Sequence, residues 1–133
     1  MSADAVCYLD SSALVKLVVR EPESATLTRH LRSRPVRVSC ALATVEVVRA
    51  VGAHGPEATD RARQVLDGVD MIRLDDPLLH AAATLDGPLL RSLDAIHLAA
   101  ALALREDEVE LITYDRRMAA HAEQLGFVVS APA

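Results

Sequence analysis

Four acidic residues in this chain stand where an acid would normally be costly. Asp10 follows the short apolar run Val6-Cys7-Tyr8-Leu9, and Asp115 follows Ile112-Thr113-Tyr114. Both fall at the ends of segments that read as buried strands. Glu46, in Thr44-Val45-Glu46-Val47-Val48, and Asp94, in Ser92-Leu93-Asp94-Ala95-Ile96-His97, lie on apolar helical stretches. An ionised carboxylate in apolar surroundings is unfavourable unless something pairs with it, and neither helix carries enough basic residues to neutralise all four. Each acid has an ordinary explanation by itself. Asp10 and Asp115 can be helix N-caps. Asp94 falls in a first turn, where negative charge is favoured, and Glu46 can pair with Arg49 or Arg20 at a surface. Taken together they need a shared compensation. Convergent carboxylates repel one another, which calls for a cation, and hard oxygen donors select Mg²⁺, with Mn²⁺ as the alternative, over zinc. An all-acid site of this kind suits phosphoryl transfer, in which the metal binds phosphate oxygens, activates a water and stabilises the leaving oxygen.

Other chemistries fit less well. The five histidines, His30, His54, His80, His97 and His121, are scattered without metal-ligand spacing. His97 is one turn from Asp94 and within reach of it, but a packed or solvent-facing role is the expectation. Phosphate-binding and dinucleotide-binding glycine loops are absent, as are serine or cysteine triads. An aspartyl-phosphate phosphatase carries a second Asp two positions after the nucleophile, where this chain has Ser12. A receiver domain needs a lysine after a late strand, and the single lysine here is the early Lys16.

The elements that must position these acids alternate along the chain. Short apolar runs at 5–9, 36–39, 69–74, 110–114 and 127–129 read as strands. Helical patterns cover 14–19, 22–34, 41–53, 57–67, 77–85, 93–104 and 115–125. The segment 57–67 is polar and reads as exposed. Ser92 is placed to N-cap the helix over 93–104, which is apolar almost all round and so belongs mid-domain. Gly68, Gly87-Pro88 and Gly126 mark helix ends. Strands separated by helices indicate a parallel α/β sheet, in which ligands bind at the carboxyl ends of strands. The 133 residues make one domain spanning 1–133.

Composition bounds the setting. About half of the chain is hydrophobic, 51%, but only 2% is aromatic, so the core is aliphatic. No apolar run approaches the roughly 20 residues of a spanning helix, and the start lacks a secretory pattern. The expectation is a cytoplasmic protein with no membrane association. Cys7 and Cys40 belong to no CxxC pair and sit in apolar segments, as buried free thiols do. A disulfide is the alternative, since both fall on neighbouring strands. The net charge is −5, unlike the basic footprint of most nucleic-acid binders. Setting the four acids aside leaves −1, and a bound cation adds positive charge. Arg29, Arg32, Arg34 and Arg37 form a local basic cluster, either a solvated face or a contact for a polyanion.

The chain resembles the PIN-domain ribonucleases, and especially the VapC toxins of bacterial toxin–antitoxin pairs. The resemblance is carried by Tyr8-Leu9-Asp10-Ser11-Ser12-Ala13-Leu14-Val15-Lys16, by Glu46 on its apolar helix, by Ser92-Leu93-Asp94-Ala95-Ile96-His97-Leu98-Ala99, and by Leu111-Ile112-Thr113-Tyr114-Asp115-Arg116-Arg117. It implies a three-layer α/β/α sandwich around a mostly parallel five-stranded sheet. Asp10, Glu46, Asp94 and Asp115 match the family's acidic quartet, with no departure from its pattern. Ser12 matches a hydroxyl that orients a ligand or water, and Thr113 a hydroxyl near the metal. Arg91 and Arg116 are candidate phosphate contacts. The implied reaction is Mg²⁺- or Mn²⁺-dependent endonucleolytic cleavage of RNA, leaving a 5′-phosphate and a 3′-hydroxyl. The implied partners are RNA, a second copy of the chain and an antitoxin whose tail blocks the site. Two readings stay open beside it: a PIN nuclease of RNA processing, and a non-catalytic binding module on the same fold.

Overall fold

The apolar run before Asp10 is the central strand of the molecule. In the computed structural model, which describes residues 6–87, 89–104 and 108–133, β1 (Val6–Leu9) is buried along its whole length. It lies between β2 (Val36–Cys40) and β4 (Val109–Ile112), with β3 (Asp70–Ile72) and β5 (Val128–Ser130) at the edges, in the order β3-β2-β1-β4-β5. All four pairings are parallel. A strand covered on both faces loses the polar alternation of a half-exposed one, which is why this segment reads as one continuous apolar run.

The helices form the two outer layers. The helices α1 (Ser11–Val18), α2 (Ser24–Leu31), α3 (Leu42–Val51) and α4 (Pro56–Asp67) pack with Cys7, Leu9 and Ile112 into one core. The helices α5 (Asp76–Ala83), α6 (Ser92–Leu102) and α7 (Arg116–Gln124) pack with Val6, Tyr8, Val38, Cys40 and Leu111 into the other. The expected three-layer α/β/α sandwich with its parallel five-stranded sheet is therefore observed. Cys7 and Cys40 are free and buried and belong to opposite cores. This removes the disulfide alternative despite the neighbouring strands.

Several local expectations shift. The helix expected over 22–34 is the shorter α2, because Ser24 ends the preceding loop: its Oγ accepts from Glu21 N–H and donates to the Val19 carbonyl. The polar segment 57–67 is not wholly exposed: α4 buries Ala58, Ala62 and Leu66, a small-residue stripe at four-residue spacing. Arg91, not Ser92, occupies the N-cap position of α6, without a side-chain capping bond. Gly126 does end α7, with a positive φ of 90° that favours glycine there. Ala5, the expected start of β1, and Pro88, an expected helix stop, lie outside the described residues.

The basic cluster divides in two. Arg34 pairs with Glu110 and donates to the His30 carbonyl. Arg37 donates to the carbonyls of Leu31 and Arg34. Both are spent on the fold. Arg29 and Arg32 are exposed and line a groove between α1 and α2 with Lys16 and Arg20. No helix among the described residues is long and apolar enough to cross a membrane.

Candidate active site

The chain leaves β1 toward β2 on one side and reaches β4 on the other, so the connections part at the carboxyl ends of β1 and β4. Open parallel sheets bind their ligands at such a point. The pairing of Leu9 with Ile112 brings the next residue of each strand, Asp10 and Thr113, side by side.

Asp10 is the N-cap of α1. Its Oδ1 accepts from Ala13 N–H at 3.0 Å and from Ser12 Oγ at 2.6 Å, and its Oδ2 accepts from Thr113 Oγ at 2.5 Å. Thr113 Oγ in turn accepts from Asp115 N–H, and Ser12 Oγ accepts from Tyr114 N–H. The hydroxyls of Ser12 and Thr113 thus pin the β1–α1 turn to the β4–α7 turn. Asp10 is buried at 5% exposure. Burial raises its pKa above the ordinary carboxylate value, against the lowering effect of the bonds from Ser12 and Thr113.

Asp115 is exposed and caps α7, its Oδ1 accepting from Arg117 and Met118 N–H. Its Oδ2 accepts no hydrogen bond among the described residues. Asp94, half-buried in the first turn of α6, accepts none at all among them. Its pKa is raised, first by burial and then by the negative charges of Asp115 and Glu46, against the opposing charges of His97 and Arg91. Asp94 therefore lies within the field of both Asp115 and Glu46.

Glu46 differs from the alternatives weighed for it. It pairs with neither Arg49 nor Arg20. Its Oε1 accepts from Ser11 Oγ at 2.6 Å and from His97 Nε2 at 2.7 Å, and these bonds outweigh burial and lower its pKa. His97 is buried at 3% exposure, and its Nδ1 meets Tyr8 Oη at 2.7 Å. Burial disfavours the charged ring, but bonds to Cys40 and Glu46 outweigh it and raise the pKa to about 10. His97 therefore contacts Glu46, not the Asp94 one turn away. Sequence reasoning passed over this role and that of Ser11. The available cue was that a polar ring inside a helix apolar on all sides must be buried, and a buried polar ring must be bonded.

The donor chemistry fits a hard divalent cation: oxygen donors only, mutual repulsion, and uncommitted oxygens on Glu46, Asp94 and Asp115. Among the described residues no group of three or more acidic, histidine or cysteine side chains is arranged so that it could hold a metal ion, so the four acids form no ready-made ligand shell. Arg91 precedes Asp94 and acts on its charge. Arg116 is exposed at the start of α7 and makes no ion pair among the described residues.

Residues 7–124 match the PIN domain family model. The chain belongs to the PIN-domain family. That span contains every residue of the candidate site, from Asp10 to Arg116. This PIN domain is 51% identical to Ribonuclease VapC46 of Mycobacterium tuberculosis over 128 residues, covering 96% of the chain and 98% of that protein. It is 39% identical to Ribonuclease VapC47 of the same species, covering 94% and 96%. Among solved structures it superposes on M. tuberculosis VapC20, described as a sarcin-ricin loop cleaving toxin, with a TM-score of 0.75 at 18% identity, covering 95% and 99%. A toxin–antitoxin complex from Klebsiella pneumoniae matches with a TM-score of 0.73 at 21% identity, covering 96% and 98%. At such identities the two structures speak for the fold.

Proposed function

We propose that this PIN domain is a metal-dependent endoribonuclease and the toxin of a toxin–antitoxin pair. The observation that carries the reading is the similarity over nearly the whole chain to proteins named VapC ribonucleases, joined to the presence of all four acids, Asp10 and Asp115 after β1 and β4, Glu46 on α3 and Asp94 on α6. Asp10, Glu46, Asp94 and Asp115 would hold Mg²⁺ or Mn²⁺. The bound ion would supply a Lewis acid for the phosphodiester and an activated water.

The chain's own residues would do the rest. Ser12 and Thr113 hold Asp10 by both oxygens, so its position is set before any ligand arrives. Asp94 and Asp115, at the starts of α6 and α7, keep oxygens free of hydrogen bonds among the described residues. Arg91 and Arg116, exposed beside these acids, would engage flanking phosphates. With almost no aromatic residues, RNA would be held by its backbone and shape more than by base stacking.

The partners follow from the same similarity. A short antitoxin covering the acidic edge would inhibit the enzyme, and a second copy of the chain would complete a homodimer in the cytoplasm. The intact acids speak against a retired, purely binding role, since Asp94 accepts no hydrogen bond among the described residues and the charges of His97 and Arg91 do not offset the burial and repulsion that raise its pKa.

The test is RNA cleavage by the purified chain, freed of any bound protein, in EDTA and then in Mg²⁺ or Mn²⁺. Fragments with 5′-phosphate ends are expected only with metal. Equal cleavage in EDTA would contradict the metal role, and no cleavage with either metal would contradict the enzyme.

A further inference from the structure

His97 lies on the buried side of α6, and nothing in the acidic quartet accounts for it. We infer that His97, braced by Tyr8, is a positioning residue that clamps Glu46 by one carboxylate oxygen and so presents the other to the cation. The inference rests on the reading of Glu46 as a metal ligand.

The geometry is specific. Both bonds to Glu46, from Ser11 Oγ at 2.6 Å and from His97 Nε2 at 2.7 Å, fall on Oε1. Oε2 accepts no hydrogen bond among the described residues. A carboxylate only accepts, so Nε2 must carry its proton toward Glu46. This holds in either charge state of the ring. In a neutral ring Nδ1 accepts a hydrogen bond from the Tyr8 hydroxyl, and a charged ring donates to the Tyr8 oxygen.

The brace behind the ring is buried in the sheet. Tyr8 is in the central strand and fully buried. Its ring meets the imidazole edge to face, with centroids 5.9 Å apart and planes at 77°. Cys40 Sγ closes the same side at 3.6 Å from Nδ1. A half-buried glutamate on α3 is thereby tied through His97 to β1, the strand that leads into Asp10. With Nε2 committed to Glu46 and Nδ1 to Tyr8, His97 has no nitrogen left to ligate a metal itself. Outer partners of this kind fix ligand orientation, and losing one typically costs about 10–100-fold in metal affinity or activity.

The experiment is Mn²⁺ binding to the antitoxin-free protein, followed by the electron paramagnetic resonance signal of free Mn²⁺, with thermal unfolding of each variant as a fold control. His97→Ala is expected to weaken Mn²⁺ binding about 10–100-fold. His97→Gln, whose amide can still donate to Oε1, should recover part of that loss. In a Glu46→Gln background His97→Ala should have no further effect, since interacting residues are non-additive. A folded His97→Ala protein with unchanged Mn²⁺ affinity, or equal losses with and without Glu46, overturns the inference. Should His97→Ala fail to fold, Tyr8→Phe and Ser11→Ala decide: weaker Mn²⁺ binding in both supports the clamp, and unchanged binding in both overturns it. A wild-type protein that binds no Mn²⁺ contradicts the metal site itself, which is a separate result.

Discussion

Thr113 Oγ donates to Asp10 Oδ2 at 2.5 Å across 103 residues of sequence, and the same hydroxyl accepts from Asp115 N–H at 3.1 Å. One buried hydroxyl thus ties the first acid of the site to the backbone of the last. Replacing it with valine keeps the shape and removes both bonds. We expect Thr113→Val to lower stability by about 1–3 kcal/mol, because it leaves Asp10 buried with an unmet oxygen. Urea unfolding checks this, and an unchanged midpoint would show that the bond contributes little.

A second polar knot holds the opposite part of β4. Glu110 accepts from His30, Arg34 and Ser130. Burial raises its pKa, but the bonds from Ser130, Arg34 and His30 win and lower it below the usual 4.5. An acid with a lowered folded pKa adds stability that is present above its unfolded value and lost as pH falls through the folded one. Wild-type stability should therefore decline below about pH 4.5, and Glu110→Gln should flatten that part of the profile. Parallel declines in both proteins would rule Glu110 out as the source.

The arginines should sort by role. Arg34→Ala and Arg37→Ala are expected to cost about 1–2 kcal/mol each, since both donate to partners within the fold. Arg29→Ala and Arg32→Ala, exposed and unpaired among the described residues, should stay within about 0.5 kcal/mol. Denaturant midpoints of the four variants compare them directly, and a reversed ranking would contradict the division.

Both thiols should be silent in the folded protein. Cys7 and Cys40 have no exposed surface, and burial, helped by the charge of Glu110 against those of Arg37 and Arg34, pushes the Cys7 thiol up to about 11. An aromatic disulfide reagent should titrate no thiol at pH 7 until denaturant is added. Rapid labelling of either cysteine without denaturant would contradict the packing.

Much of this was legible in the sequence for identifiable reasons. The run Val6 to Leu9 lacks alternation because β1 is covered on both faces, and that alone announces a central parallel strand. Asp10 and Asp94 stood out because acids next to such runs need compensation. Glu46 was singled out by its apolar helix, but its partners Ser11 and His97, and the Tyr8 that meets His97, were not: the three come from three elements, and no spacing rule along one helix connects them. The buried stripe of α4 was hidden because Ala58 and Ala62 carry little hydrophobic weight, and only packing shows that small residues face inward. The cysteine question turned on strand phase: Cys7 and Cys40 sit on neighbouring strands but opposite faces, and the register that decides this is a tertiary fact.

The metal-binding reading is tested most directly at Asp94, which accepts no hydrogen bond among the described residues and whose charge is opposed by Asp115 and Glu46. Its raised folded pKa means that it costs stability as pH rises from the unfolded value through the folded one. Asp94→Asn should therefore fold at neutral pH as well as the wild type, within about 0.5 kcal/mol, or slightly better. The decisive measurement is the Mg²⁺-dependent RNA cleavage rate of Asp94→Asn beside the wild type, with matched unfolding curves. A folded variant whose rate falls at least about 100-fold, as loss of a group stabilising the transition state does, is the predicted result. A folded variant that cleaves RNA at the wild-type rate would contradict the account.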